Sequence, residues 1–207
     1  MLWGLWRRLS VTVGRMQTET IRDELEAARS ALDTFIGNDA AVERIAEAAR
    51  LCARSLKTGG KLLAVGNGGS CADAMHFAEE LSGRYRADRP AIAALACTDP
   101  GHITCTANDY GYDRVFARWV EAIARPGDVL VALSTSGNSG NVVAAVEAAK
   151  ARSCQVILLL GKDGGTLDRT GDLQWIVPGR TSDRIQEIHM LILHCLVGAI
   201  EREVASG

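Results

Sequence analysis

His76 and Glu80 stand four residues apart in the segment GNGGSCADAMHFAEEL (66–81). In a helix that spacing puts both on one face, about one turn from each other. Glu79 lies about a hundred degrees round the helix and reads as a solvated or interface charge. Late in the chain, RIQEIHMLILHCLVGAIE (184–201) carries Gln186, His189 and His194. Imidazole, carboxylate and amide oxygen together make a borderline-hard donor set, with Zn²⁺ as the leading candidate. The competing reading is that a histidine on an apolar helix is packed into the core, and spacing alone leaves both open. Gln186 and His194 are eight residues apart, about 12 Å along a helix. Both reach one ion only with extended side chains, a bend, or contributions from two subunits.

Two further stretches could bind an anion. Asn67-Gly68-Gly69-Ser70 follows the apolar run KLLAVG (61–66), and Ser134-Thr135-Ser136-Gly137-Asn138-Ser139 follows DVLVAL (128–133). Bare backbone lets amides point at a ligand, and a helix N-terminus adds partial positive charge. Serine and threonine hydroxyls add neutral donors. Helix capping is the commonest job of such residues, and it suffices for Ser70 taken alone. Four hydroxyls in six residues after a buried strand favour phosphate binding. Neither turn has the Gly-Lys-Ser/Thr of a Walker loop or the G-x-G-x-x-G of a dinucleotide site. The expected ligand is therefore a sugar phosphate rather than a nucleotide.

The elements that must position these residues are legible as periodicity. KLLAVG (61–66), AIAALA (91–96), DVLVALS (128–134), QVILLL (155–160) and LQWIV (173–177) are candidate strands. Most are continuously apolar, as strands covered on both faces are. Helical segments are expected near 70–82, 111–124, 139–152 and 182–203, so strands alternate with helices and the sheet is parallel. Upstream, Ile21, Leu25, Ala28, Leu32 and Phe35 recur at helical steps, and Ala41 to Leu56 forms a second amphipathic run after Gly37-Asn38-Asp39. The expectation is an α/β fold: a three-layer αβα sandwich on a parallel five-stranded sheet, with an N-terminal helical hairpin. Apolar residues on that hairpin suit a homo-oligomer contact. In open sheets of this kind ligands sit at the carboxyl ends of the strands, where both turns lie.

Composition narrows the class. The 207 residues are 47% hydrophobic and 23% charged, with a formal net charge of −2, which is ordinary for a soluble globular chain. No basic concentration marks a nucleic-acid or membrane surface, and 5% aromatics argue against a stacking platform for single strands. The six cysteines, Cys52, Cys71, Cys97, Cys105, Cys154 and Cys195, contain no C-x-x-C pair and read as reduced thiols of a cytoplasmic protein. Residues 1–15, MLWGLWRRLSVTVGR, hold two tryptophans, three arginines and no acid. Their basic pair splits the apolar residues, unlike a signal peptide, and they are too short to span a membrane. They read as an appended leader or an upstream start, with a single domain over 16–207.

Taken together, GNGGS, DAMHFAEEL with GRYR, ANDYGYD, STSGNSGNV, GKDGG and DRIQEIH followed by His194 resemble the phosphoheptose isomerase family of the sugar isomerase (SIS) fold. The match runs from about Met16 to the C-terminus. The resemblance implies a homotetramer with sites at subunit interfaces. It also implies conversion of sedoheptulose 7-phosphate to D-glycero-D-manno-heptose 7-phosphate through an enediol, the first step of heptose precursor biosynthesis, as for lipopolysaccharide. By resemblance Asn67, Gly68, Gly69, Ser70, Asn108, Asp109, Ser134, Thr135, Ser136 and Ser139 contact substrate, together with Glu80 and Gln186. Asp183 stands where a supporting acid is expected. His76, Glu80, Gln186 and His194 match the family's zinc ligands, one ion per subunit, and Glu80 and His194 its acid–base pair. One departure is Cys71-Ala72, where the enzymes often carry His-Cys. A non-enzymatic relative, the bacterial replication-initiator-associating protein, shares GNGGS, STSGNS and RIQE; His194 is the position that favours the enzyme.

Overall fold

A computed structural model describes residues 2–205, with side chains from residue 17 onward. The expectation of a leader over residues 1–15 thus falls on side chains outside the described ones. Helices α1 (Leu2–Ile36) and α2 (Asp39–Lys57) form the hairpin. Asn38 caps α2, its side-chain oxygen accepting the Ala41 N–H at 3.1 Å.

The remaining elements alternate: β1 (Leu62–Gly66), α3 (Gly69–Ser82), β2 (Ala94–Ala96), α4 (Pro100–Tyr110), α5 (Val115–Ile123), β3 (Val129–Ser134), α6 (Gly140–Ala151), β4 (Gln155–Leu160), β5 (Leu173–Ile176) and α7 (Ser182–Ala205). All five strands are parallel, in the order β2-β1-β3-β4-β5. Successive residues of β3 alternate between two apolar layers. Val129, Val131 and Leu133 pack with residues of α2, α3 and α7, whereas Leu130 and Ala132 pack with residues of α5 and α6. Both faces are covered, which is why the strands read as continuous apolar runs. The chain order reverses between β1 and β3, and the crevice beyond their carboxyl ends is where ligands bind in such sheets.

Two elements differ from the periodicity reading. The expected strand 91–96 shortens to Ala94–Ala96, because its neighbour β1 begins at Leu62, opposite Ala94. The expected helix 111–124 is α5 preceded by a 3₁₀ turn at Tyr112–Arg114, and α4 lies unpredicted before it. Glycine, threonine and asparagine dilute the helical pattern of α4. Its start is nevertheless written locally: the Asp99 side chain accepts the His102 N–H at 2.6 Å, with Pro100 in the first turn. All six cysteines are free thiols.

His189 resolves as a core residue. It is fully buried, and its Nε2 lies 3.0 Å from the Leu160 carbonyl at the end of β4. Its Nδ1 has no protein partner. Burial lowers its pKa from 6.5 to about 4, partly offset by the bond to Leu160. Between those values the unfolded chain binds a proton that the folded chain refuses, so stability is full above pH 6.5 and is lost as pH falls toward 4. At pH 4.5 the loss from this group should be about 2–3 kcal/mol. Denaturant titrations at pH 7 and 4.5 check it: His189→Asn should show an acid loss smaller by that amount than the parent.

Candidate active site

The two glycine- and hydroxyl-rich turns meet at the strand-order reversal. Asn67, Gly68, Gly69 and Ser70 line a cavity of about 290 Å³ together with Leu133, Ser134, Thr135, Ser139, Ser182 and Gln186. Gly68 takes a φ of +55°, a conformation that favours glycine, and starts α3 without a side-chain cap. Gly137 turns the second segment with a φ of +65°, and its N–H donates to Ser134 Oγ at 3.1 Å. Ser139 occupies the N-cap position of α6, but its hydroxyl makes no capping bond; it accepts from Ser134 Oγ at 3.4 Å instead. Capping therefore does not account for it. The Ser134, Thr135 and Ser139 hydroxyls and the first-turn amides of α6 form a neutral, donor-rich cradle, suited to an anion without a permanent counter-charge.

A reciprocal amide pair joins the two turns. Asn67 Nδ2 donates to Asn141 Oδ1 and Asn141 Nδ2 donates to Asn67 Oδ1, both at 2.8 Å, and the Tyr112 hydroxyl donates to Asn67 Oδ1 at 3.0 Å. Asn141 is buried. Neither Asn141 nor Tyr112 was singled out from sequence, nor Ser182, whose hydroxyl lies 3.1 Å from that of Thr135. All three fall within the STSGNSGNV, ANDYGYD and DRIQEIH stretches or directly beside them, which is the signal that points to them.

Glu80 and His76 lie on α3, and His194 comes from α7. Glu80 is buried; its Oε1 is 3.3 Å from His76 Nε2 and 3.5 Å from His194 Nε2. The two imidazoles meet edge to face at 5.2 Å, and Tyr85 stacks on His194 at 6.0 Å. One donor atom from each of His76, Glu80 and His194 lies within 4.8 Å of the others. Glu80 Oε2 is buried without a partner, a costly state for a carboxylate oxygen. Two imidazoles and a carboxylate with a spare buried oxygen fit a divalent ion of borderline softness. Beneath this cluster Asp73 keeps a buried, unpartnered Oδ2. Burial pushes its carboxyl up to about 6, with His76 opposing.

Gln186 faces the cavity, its amide donating to Ser70 Oγ at 3.2 Å. The structure does not bring every predicted residue into that cavity. Asn108 and Asp109 bond to each other at 2.7 Å at the exposed end of α4, where Asp109 also accepts from Cys105 at 3.6 Å. Ser136 turns its hydroxyl to the Asn138 N–H at 3.2 Å. Asp183 pairs with Arg184 at 3.1 Å, and the Thr181 hydroxyl holds its carboxyl below the usual range.

A sugar isomerase domain accounts for both the fold and the site: the SIS domain family matches residues 25–161. Phosphoheptose isomerases from Edwardsiella ictaluri and Tolumonas auensis are each 51% identical to the chain, over 92% of it and 100% of the relative. The solved phosphoheptose isomerase from Neisseria gonorrhoeae superposes with a TM-score of 0.82 at 41% identity, over 90% of this chain and 99% of that one. That from Francisella tularensis gives 0.86 at 35% identity, over 90% and 98%. The protein belongs to the phosphoheptose isomerase family.

The turn geometry yields a test. A Cβ on Gly69 would stand 2.6–2.8 Å from the Gln186 amide, so Gly69→Ala must push that flexible side chain out of the cavity. Steady-state kinetics should show KM for the sugar phosphate raised about tenfold, the scale of one lost polar contact. The melting temperature should stay within a few degrees of the parent.

Proposed function

We propose that the protein interconverts sedoheptulose 7-phosphate and D-glycero-D-manno-heptose 7-phosphate, the entry step to activated heptoses. The observation that carries the reading is the buried Glu80 carboxylate beside His194, on the same two helices, α3 and α7, whose first turns line the neutral cavity at the strand ends. Ser134, Thr135, Ser136 and Ser139 with the α6 amides hold the phosphate. Asn67, Gly68, Gly69, Ser70 and Gln186 line the sugar, and Asn108, Asp109 and Asp183 complete the contacts once subunits assemble.

The conversion removes one hydrogen from C1 of the ketose and places one on C2, with an enediol between. Glu80 takes the C1 proton and returns a proton at C2. His194 carries the accompanying proton from O1 to O2, which suits an imidazole near neutrality. Zn²⁺ held by His76, Glu80, Gln186 and His194 would add Lewis-acid polarisation of the carbonyl when bound. We further propose that four copies assemble. Ile21 and Leu25 on α1 are 61% and 67% exposed, and Met75, Leu95 and Leu191 are also open, apolar side chains that contacts between copies would cover. A cytoplasmic location is supported by the six free thiols. Among the described residues no helix is long and apolar enough to cross a membrane. The initiator-binding scaffold is not favoured, since no observation draws the site toward it.

Glu80→Gln and His194→Ala should each lower kcat by about 10²–10⁴, read by NMR as aldose formed from the ketose; retention within about tenfold would overturn the pair. His76→Ala should abolish stoichiometric zinc in metal analysis of the dialysed protein, and full retention would remove it from the ligand set. Light scattering should return four protomer masses, and a monomer would overturn the assembly.

A further inference from the structure

The contact between α3 and α7 has a second rung, remote from the reacting groups. Glu80 lies in the last turn of α3, where the helix leaves its final carbonyls without intrahelical partners. The Ile92 N–H reaches the Leu81 carbonyl at 3.0 Å, and one side chain supplies further donors. Arg89 Nη2 donates to the Glu80 carbonyl at 2.6 Å, and Nη1 donates to the Leu81 carbonyl at 2.7 Å and to Gly83 at 3.3 Å. Its Nε donates to Glu201 Oε1 on α7 at 2.8 Å. Both side chains are largely buried, at 14% and 19% exposure, so this is not a screened surface pair. Its cation also sits at the negative end of the α3 dipole.

Glu201 is seven residues beyond His194, two helical turns, and therefore on nearly the same face of α7. Between them lies Gly198, against the Tyr85 ring that also stacks on His194. Facing α7 in order stand Glu80, Tyr85 and Arg89. The Glu80–His194 approach is made by two side chains from different helices, and Arg89 joins those helices by main chain on one side and Glu201 on the other.

We propose that Arg89, acting through Glu201, is a positioning residue that sets the spacing and orientation of Glu80 against His194. It touches neither the cavity nor the phosphate cradle: the residues that α3 and α7 give the cavity, Gly69, Ser70, Ser182 and Gln186, lie at the opposite ends of those helices from Arg89 and Glu201. Its loss should therefore act on turnover and spare substrate affinity. A shift of about 1 Å in such a pair can cost 10²-fold in rate.

The test uses the full chain and three variants. Arg89→Ala removes every bond, Glu201→Ala cuts only the link to α7, and Glu201→Gln keeps the acceptor oxygen. We expect kcat to fall about 10²-fold in Arg89→Ala and about tenfold in Glu201→Ala, with KM within about threefold of the parent. Glu201→Gln should recover kcat to within about threefold. Cobalt(II) titration gives a readout apart from activity, resting on the metal assignment: Glu201→Ala should alter the intensity of the visible bands. A parent protein that gives no cobalt bands would overturn the metal reading alone, because the kinetic split judges Arg89 by itself. Arg89→Ala tests only if it folds, and Glu201→Ala, missing one bond, keeps the proposal falsifiable. If Glu201→Ala lowers the melting temperature yet leaves kcat and KM at parental values, or if KM rises in step with a falling kcat, the positioning role is overturned.

Discussion

A carboxylate has been taken out of water at Glu80, and much of the site is arranged around that cost. An isolated buried carboxylate is unstable unless something answers its charge. Here one oxygen is answered by two imidazoles at 3.3 and 3.5 Å, from α3 and from α7, while the other has no protein partner. The arrangement holds only if the two helices keep their separation. Leu81 and Phe77 of α3 pack in one apolar layer with Ile192, Leu196 and Ile200 of α7, and the Arg89–Glu201 bridge lies beyond them. Apolar packing supplies the adhesion between these helices; the polar rungs fix their register.

The cradle proposed for the phosphate is governed by the opposite choice. Among the residues lining the cavity none is ionisable, so its attraction for an anion comes from hydroxyls, amides and helix ends. Such donors bind phosphate without drawing a carboxylate away from its own work. The strand-order reversal between β1 and β3 opens the cradle at the strand ends, and the carboxylate lies about three turns into α3.

How much of this was legible in the sequence follows from the range of each interaction. QVILLL reads as a strand because burial on both faces leaves the whole segment apolar, and β4 is Gln155–Leu160. The His76–Glu80 contact is legible because a helix fixes neighbours four apart. α4 escaped because its evidence is a cap, Asp99 before Pro100, rather than a periodicity. Asn141 escaped for a different reason: its partner Asn67 is 74 residues away, and nothing local in either distinguishes a buried amide pair from two turn residues. Asn108 and Asp109 were proposed by resemblance, and in the single chain they stand exposed on α4.

The spacing along α7 shows how one helix serves several demands. At about 100° per residue, His194 lies roughly 80° round from Gln186 and His189 lies roughly 140° from His194. Glu201 returns to within about 20° of His194. The observed contacts follow these angles: Gln186 to the Ser70 turn, His189 to the end of β4, His194 to Glu80 of α3 and Glu201 to Arg89 in the loop that follows α3. The eight-residue gap places Gln186 at the Ser70 turn and His194 at the Glu80 carboxylate. Both belong to one continuous helix, Ser182 to Ala205. His189, buried and uncharged at neutral pH, faces a third way, tying α7 to the sheet through the Leu160 carbonyl at the end of β4.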